Sequence, residues 1–261
     1  MKGENSMPNW TRNLLMVGNE KRMKIITDAH CPYCEENKKR ELDFNTIIRM
    51  PDELNIEYGS KTIDGLALAL GEKDPSCPFL GQKEDKLEEK EFNALKERLN
   101  DRFLMFHLDS LTDAKMNFYQ KRYGRDLPLV MDIGRKALSN FLKYNALSWY
   151  DWSLENWGVK WNASDTLIQG TELYFKTPWD PPLKVFLELS RLHPEIPLAM
   201  IYADEQIGAK TGYIMAKAGK ADYIGTFKDF SADAYKLAFQ VWKNQDDYVY
   251  DEKNERFTRK N

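Results

Sequence analysis

The chain has 261 residues, 30% of them charged, with 38 basic against 41 acidic side chains and a net charge of -3. That length buries a substantial core in one large domain, or one domain with an insertion, and the near balance of charge argues against a strong nucleic-acid or membrane-surface field. No apolar run reaches the ~20 residues that span a bilayer, and the leader MKGENSMPNW has no signal-peptide centre, so a cytosolic protein is expected.

In chain order, Asn13 to Val17 is short, apolar and followed by Gly18, the profile of a buried strand ending in a turn. Asn19 then stands where a helix cap belongs, Glu20 favours the first turn, and Met23, Ile26 and Ala29 fall at helical spacing. The segment HCPYCEENKKRE interrupts that helix. Phe44 to Met50 (FNTIIRM) is β-branched and apolar up to Pro51, and reads as a second strand or an extended segment beside the sheet. From Asp52 to about Leu147 the pattern turns helical. Lys83 to His107 carries Phe92, Leu95, Leu99, Phe103 and Phe106 at steps of three and four on a Lys/Glu background, an amphipathic helix with a solvated face. Thr112 caps a helix with Met116, Tyr119 and Tyr123 on one side, ended by Gly124, and a third helix runs from about Asp132 to Tyr144.

Between Trp149 and Pro182 lie five of the seven tryptophans. Trp149, Trp152, Trp157, Trp161 and Trp179 form a structural aromatic block that packs sheet against helices, or leaves rings exposed as interface anchors; Lys160, set between two tryptophans, is placed for cation-π support. Glu172 to Lys176 is a strand candidate. Asp180 with Pro181 and Pro182 predicts a helix start, with Val185, Leu189 and Leu192 on one face and His193-Pro194 closing it. Leu198 to Ala203 is another strand, Lys210 to Lys217 and Ala221 to Gly225 form a hairpin around Gly219-Lys220, and Ser231 caps a helix buried along Tyr235, Ala238, Phe239 and Trp242. The charged tail from Asp246 is expected to fray.

Without the helical excursion this order is the βαββαβ pattern of an α+β ferredoxin-like sandwich, an antiparallel sheet with helices on one face, carrying a helical insertion and an extra C-terminal hairpin. The expected divisions are 1–55 for the first half of the core, 56–147 for the insertion, 148–245 for the second half, and 246–261 for the tail.

The blocks MPNWTRNLLMVG, FNTIIRMPDEL, LSWYDWSLENWGVKWNA and YFKTPWDPP, with the Tyr/Gly-rich hairpin, together resemble the YubB-like ferredoxin-like domain family of conjugative plasmids and tailed phages. The resemblance covers most of the chain outside about 56 to 110. Thr11 stands where family members commonly carry Cys, and Val159 where they carry Thr. It implies that Met7 is the ancestral start, and a mobile-element setting; it supplies no catalytic residue.

Cys31-Pro-Tyr-Cys34 has the spacing that lets two thiolates reach one zinc ion, and Cys77 and His30 are the candidate remaining ligands of a structural zinc; the alternative is a pair of inert thiols ending the first helix. Apart from that zinc, no cofactor is expected. His107 and His193 end helices, where a cation is favoured, and no nucleophile elbow, Walker loop or G-x-G-x-x-G is present, so no catalytic residue is assigned. A base-stacking sheet of the RNA-recognition type would need aromatics on one face, whereas the adjacent Tyr174 and Phe175 face opposite sides.

The function expected is that of a non-enzymatic phage or plasmid protein in the cytoplasm of a bacterial host, acting by protein binding. Inhibition of a host defence complex such as a CRISPR or restriction nuclease is the candidate role, with specificity in the insertion. The alternative is a nucleic-acid-binding accessory protein of the mobile element.

Overall fold

Element order, in a computed structural model that describes residues 9–36, 38–77, 80–103, 111–253 and 256–260, begins with β1 (Trp10–Val17), α1 (Glu20–His30) and a short ladder of β2 (Tyr33–Cys34) with β3 (Lys39–Arg40). Then follow α2 (Ser60–Lys73), α3 (Glu89–Arg102), α4 (Asp113–Tyr123), α5 (Leu127–Tyr144) and α6 (Trp149–Asn156). The remainder is β4 (Ser164–Gln169), β5 (Glu172–Pro178), α7 (Leu183–Leu192), β6 (Leu198–Asp204), β7 (Gly212–Lys217), β8 (Lys220–Thr226), α8 (Ala232–Trp242), β9 (Tyr248–Asp251) and β10 (Arg256–Arg259). The chain divides into two units: Met1–Arg49 with Ser153–Asn261, and Met50–Trp152. The sequence places those divisions at 56 and 147.

In the first unit six antiparallel strands lie in the order β4-β5-β1-β6-β7-β8. The first four in that row, with α1 and α7, are the ferredoxin-like α+β core, and β7-β8 is the hairpin that extends it. Both faces of the sheet's central strands are covered. Leu15, Leu173, Met200 and Ile214 share one buried face, where α1 and α7 pack. Leu14, Tyr174 and Ile201 share the other, under Val241 and Trp242 of α8. Thus α8 adds a layer to the helices expected on one face, and it buries Tyr174 to 1% exposure. Phe175, as its alternation requires, points the opposite way and meets Phe44 edge-on at 6.1 Å.

The second core strand is not FNTIIRM but β4, which comes after the insertion. Asp43 accepts from the Asn45 N–H and starts a 3₁₀ turn at Phe44–Thr46, and this turn plugs the fully buried Phe44 ring between Trp157 and Phe175. β-branching made this segment look like a strand; a local side-chain cap and one large buried ring decide otherwise. The 42–48 segment is still tied to the sheet. Leu42 N–H donates to Thr166 Oγ1 at 3.0 Å, Phe44 N–H to Asn162 Oδ1 at 2.8 Å, and Trp157 Nε1–H to the Ile48 carbonyl at 2.9 Å.

Two other expectations change. The tail from Asp246 forms a 3₁₀ turn and the β9-β10 hairpin, and Tyr248 and Phe257 pack on Tyr235 and Phe239 of α8. Asp180 does not cap α7, whose first turn is set by Phe186 N–H bonding the Pro182 carbonyl. Trp149 to Asn156 is helical, turning into β4 through Gly158 at φ 78.

The second unit is helical. Leu66, Leu70, Leu95, Leu99 and Phe141 lead one apolar cluster, and Leu68, Cys77, Tyr119 and Val130 another. The amphipathic helix expected over 83–107 is shorter: a separate 3₁₀ turn covers Lys83–Asp85, the chain is extended at Lys86 and Glu88, and α3 then buries Phe92, Leu95 and Leu99; Phe106 and His107 lie outside the described residues. Its neighbour α2 has two glycines that weakened its sequence signal, and one explains the packing. Gly65 of α2 meets Gly134 of α5 backbone to backbone, so that a Cβ on either would overlap the other helix's main chain.

Gly134→Ala is therefore expected to cost about 1–3 kcal/mol through overpacking, read as a lower thermal midpoint and lost amide protection across 60–73 and 127–144. Unchanged protection in both helices would contradict the crossing.

Candidate functional site

One end of the sheet gathers the start of β1 and the ends of β5 and β6, with Trp10 opposite Pro178 and Thr11 opposite Asp204. Polar groups are buried here. Asn13, with no exposed surface, donates through Nδ2 to Thr177 Oγ1 at 2.9 Å, and Thr177 Oγ1–H donates to the Asp180 carbonyl at 2.8 Å. Asn13 Oδ1 and Thr11 Oγ1 are buried with no partner. Such a chain of bonds inside an apolar core is a register marker, since a slip of one residue would leave more buried polar atoms unpaired.

Above it the backbone takes an unusual path. Trp179 has φ 62, a left-handed conformation that a bulky residue adopts only when its surroundings impose it. Two bonds do so, Trp179 N–H to the Asn9 carbonyl at 2.8 Å and the Thr177 hydroxyl to the Asp180 carbonyl at 2.8 Å, while exposed Lys210 Nζ reaches the Trp179 carbonyl at 3.4 Å. The turn projects the indole outward, 39% exposed, beside Trp161 at 38%. Trp161 lies 5.9 Å from Trp179 and 6.4 Å from the half-buried Trp10. Three indoles from three separate segments thus make a ledge at the sheet end. Lys160 Nζ sits 4.6 Å from the Trp161 ring centre and 5.6 Å from that of Trp179. Asp180, exposed, pairs with Lys210 at 3.5 Å, and exposed Glu205 donates its N–H to the Trp10 carbonyl.

The aromatic block therefore divides. Trp157 is buried core of the first unit, Trp152 is buried and Trp149 half-buried in the second, and Trp161 and Trp179 are the exposed pair. Sequence reading placed Lys160 among the rings but did not join Trp10 to them. The MPNW block was the available signal, but only the β1-β5 register brings it alongside.

The candidate zinc ligands are held differently. Thr46 Oγ1–H donates to the Asp43 carbonyl at 2.6 Å, so Thr46 accepts from His30 Nδ1–H at 2.9 Å; the bare His30 Nε2 then accepts from His193 Nε2–H at 2.8 Å. His30 is thereby committed to a pair of helix ends, α1 and α7. Cys31 is buried and its thiol is pushed up to about 12 by burial, Cys34 lies half-exposed on β2, and Cys77 packs with Leu68, Leu111, Tyr119 and Val130 in the second unit. Among the described residues no three His, Cys, Asp or Glu side chains gather as a metal site.

The insertion has its own concave feature. A groove of about 830 Å³ runs between α2, the Gly81–Asp85 turn and α5, with Arg135 bonded to Glu72 at its side. A second groove, of about 360 Å³, continues along α3, and Leu138 and Leu142 line both.

Fold and site define an α+β protein with a ferredoxin-like core and a surface aromatic ledge. Residues 156–244 match the family described as the ferredoxin-like domain in Api92-like protein. The crystal structure of a protein api92 from Yersinia pseudotuberculosis aligns over 85% of this chain and 98% of that chain, at 12% identity and TM-score 0.37. No curated protein matches. Among the described residues no helix is long and apolar enough to cross a membrane.

The histidine pair carries a pH dependence. Burial, then the neighbouring His193, pulls the pKa of His30 from 6.5 down to about 4. The unfolded chain binds that proton near 6.5 and the folded one resists it, so this contribution is complete above about 6.5 and is lost as pH falls toward 4. The thermal midpoint should drop between pH 6.5 and 5, and His30→Gln should shrink that drop; a native midpoint flat across the interval contradicts the neutral pair.

Proposed function

We propose that this chain is a non-enzymatic protein of a phage or conjugative plasmid, working in the cytoplasm of a bacterial host by binding another protein through the tryptophan ledge. Its proposed partner is a component of a host defence complex such as a CRISPR or restriction nuclease. One observation carries the binding surface: Trp161 and Trp179 are exposed together, with a backbone held in the left-handed region to keep one of them there. Tryptophan dominates binding hot spots because a large rigid ring loses little entropy on burial. The mobile-element setting is supported by the sequence blocks quoted above, and the defence target by the habits of such elements, which is an analogy of lifestyle.

A second reading has its own support. Lysines beside exposed rings are also how single-stranded nucleic acid is held, bases stacking on aromatics and phosphates facing cations. Tyr174, the sheet aromatic that an RNA-recognition module would use, lies under α8. On this second reading the ledge alone would carry the bases.

The test is affinity capture from a bacterial host followed by reconstitution with the purified partner. Trp161→Ala with Trp179→Ala should weaken binding at least ~30-fold, since each hot-spot truncation is worth about 2 kcal/mol or more, while Leu142→Glu in the insertion groove leaves it intact. Loss with Leu142→Glu and retention in the double variant would move the interface to the insertion.

A further inference from the structure

The ledge already holds cations. Lys160 lies over two of its rings, and Lys210 reaches the Trp179 carbonyl and the Asp180 carboxylate. These features are electron-rich: indole faces, a main-chain oxygen turned outward by the left-handed Trp179, and a carboxylate. A second exposed carboxylate residue, Glu205, stands at the same end of the sheet. Lys210 is an exposed side chain whose ion pair is of the weak, solvated kind, and Lys160 is half-buried with its ammonium over the two rings.

We infer that the ledge is a receptor for an arginine side chain in a basic segment of the partner, and that Lys160 is a built-in stand-in which that arginine displaces. This rests on the ledge being the binding surface. A guanidinium is planar, so it stacks on an indole face while its edge bonds a carboxylate; an ammonium cannot do both, and it holds its water more tightly. An incoming arginine would therefore gain on Lys160 at the rings and reach Asp180 in the same pose. With Lys160 displaced, Asp180 and Glu205 outnumber Lys210 at this end of the sheet and favour a cationic occupant, whereas an acidic segment or a phosphate backbone would use Lys160 and Lys210 where they stand.

The sign of one substitution separates these cases. Removing a competing internal cation strengthens binding of an external one and weakens binding of an anion. Binding is measured by tryptophan fluorescence with a short peptide carrying two arginines, its citrulline and glutamate counterparts, and oligo(dT). Lys160→Met is expected to bind the arginine peptide about two- to fivefold more tightly than the native chain, with Lys210→Met shifting it the same way and Asp180→Asn the opposite way, and the citrulline peptide binding neither form well. Arginine-peptide affinity that is unchanged or weaker in both lysine variants overturns the inference, as does oligo(dT) or the glutamate peptide binding best and losing affinity in Lys160→Met. If the double tryptophan variant abolishes partner capture while the lysine variants fail to tighten the arginine peptide, the ledge stands and its cation preference falls; retained capture removes the ledge itself.

Discussion

Eight residues, Trp10 to Val17, hold the first unit together. β1 lies between β5 and β6, which are supplied more than 150 residues later, and the other five strands all follow the insertion, so no part of the sheet can pair until the chain has returned. Closing such a long excursion is less costly than it looks, because loop entropy grows only logarithmically, about 0.6 kcal/mol per doubling of length. What it needs is a firm base, and the bonds from Leu42 to Thr166, Phe44 to Asn162 and Trp157 to Ile48 supply one where the chain leaves and where it comes back. Register across the seam is set by Asn13 and Thr177, the polar pair inside the apolar core.

The same pair connects fold to site. Thr177 receives the Asn13 amide on one side and holds the Asp180 carbonyl on the other, and between them the chain makes the left-handed turn that turns Trp179 outward. A sheet designed only for stability would bury that ring or replace the residue with glycine. Keeping a strained, exposed tryptophan beside Trp161 and Trp10 is understandable if the rings are used. The groove in the insertion is lined by α2, α5 and the Gly81–Asp85 turn, with a forked Arg135–Glu72 pair at its side that ties α5 to α2.

Much of the fold was legible because its signals are local. Asn19, Thr112 and Ser231 each cap the helix expected of them through a side-chain oxygen, and the Gly219 turn joins β7 to β8. What misled was also local. The FNTIIRM segment has β-branched composition, yet Asp43 and one buried phenylalanine decide its path. The two glycines of α2 lower helix propensity, yet one of them is what the α5 crossing requires. The tail looked too charged to order, while its Tyr248 and Phe257 sit at the spacing a hairpin uses to cover α8. For the site, the aromatic density at 149–182 was visible, but its division into core and surface was not, since burial depends on partners such as Trp10 and Phe44 that lie over a hundred residues away. The Cys-x-x-Cys spacing was equally visible, and there the histidine expected to join it bonds His193 instead.

The Thr177 hydroxyl couples the sheet register to the ledge. Thr177→Val keeps the shape and removes only the bonds to Asn13 and Asp180, so the amide and indole ¹H–¹⁵N spectrum of that variant is the direct measurement. A folded protein is expected whose largest shifts fall on the amides of Trp179 and Asp180 and on the indoles of Trp10, Trp161 and Trp179, with faster amide exchange at Trp179. Indole signals and Trp179 exchange identical to those of the native chain would contradict it.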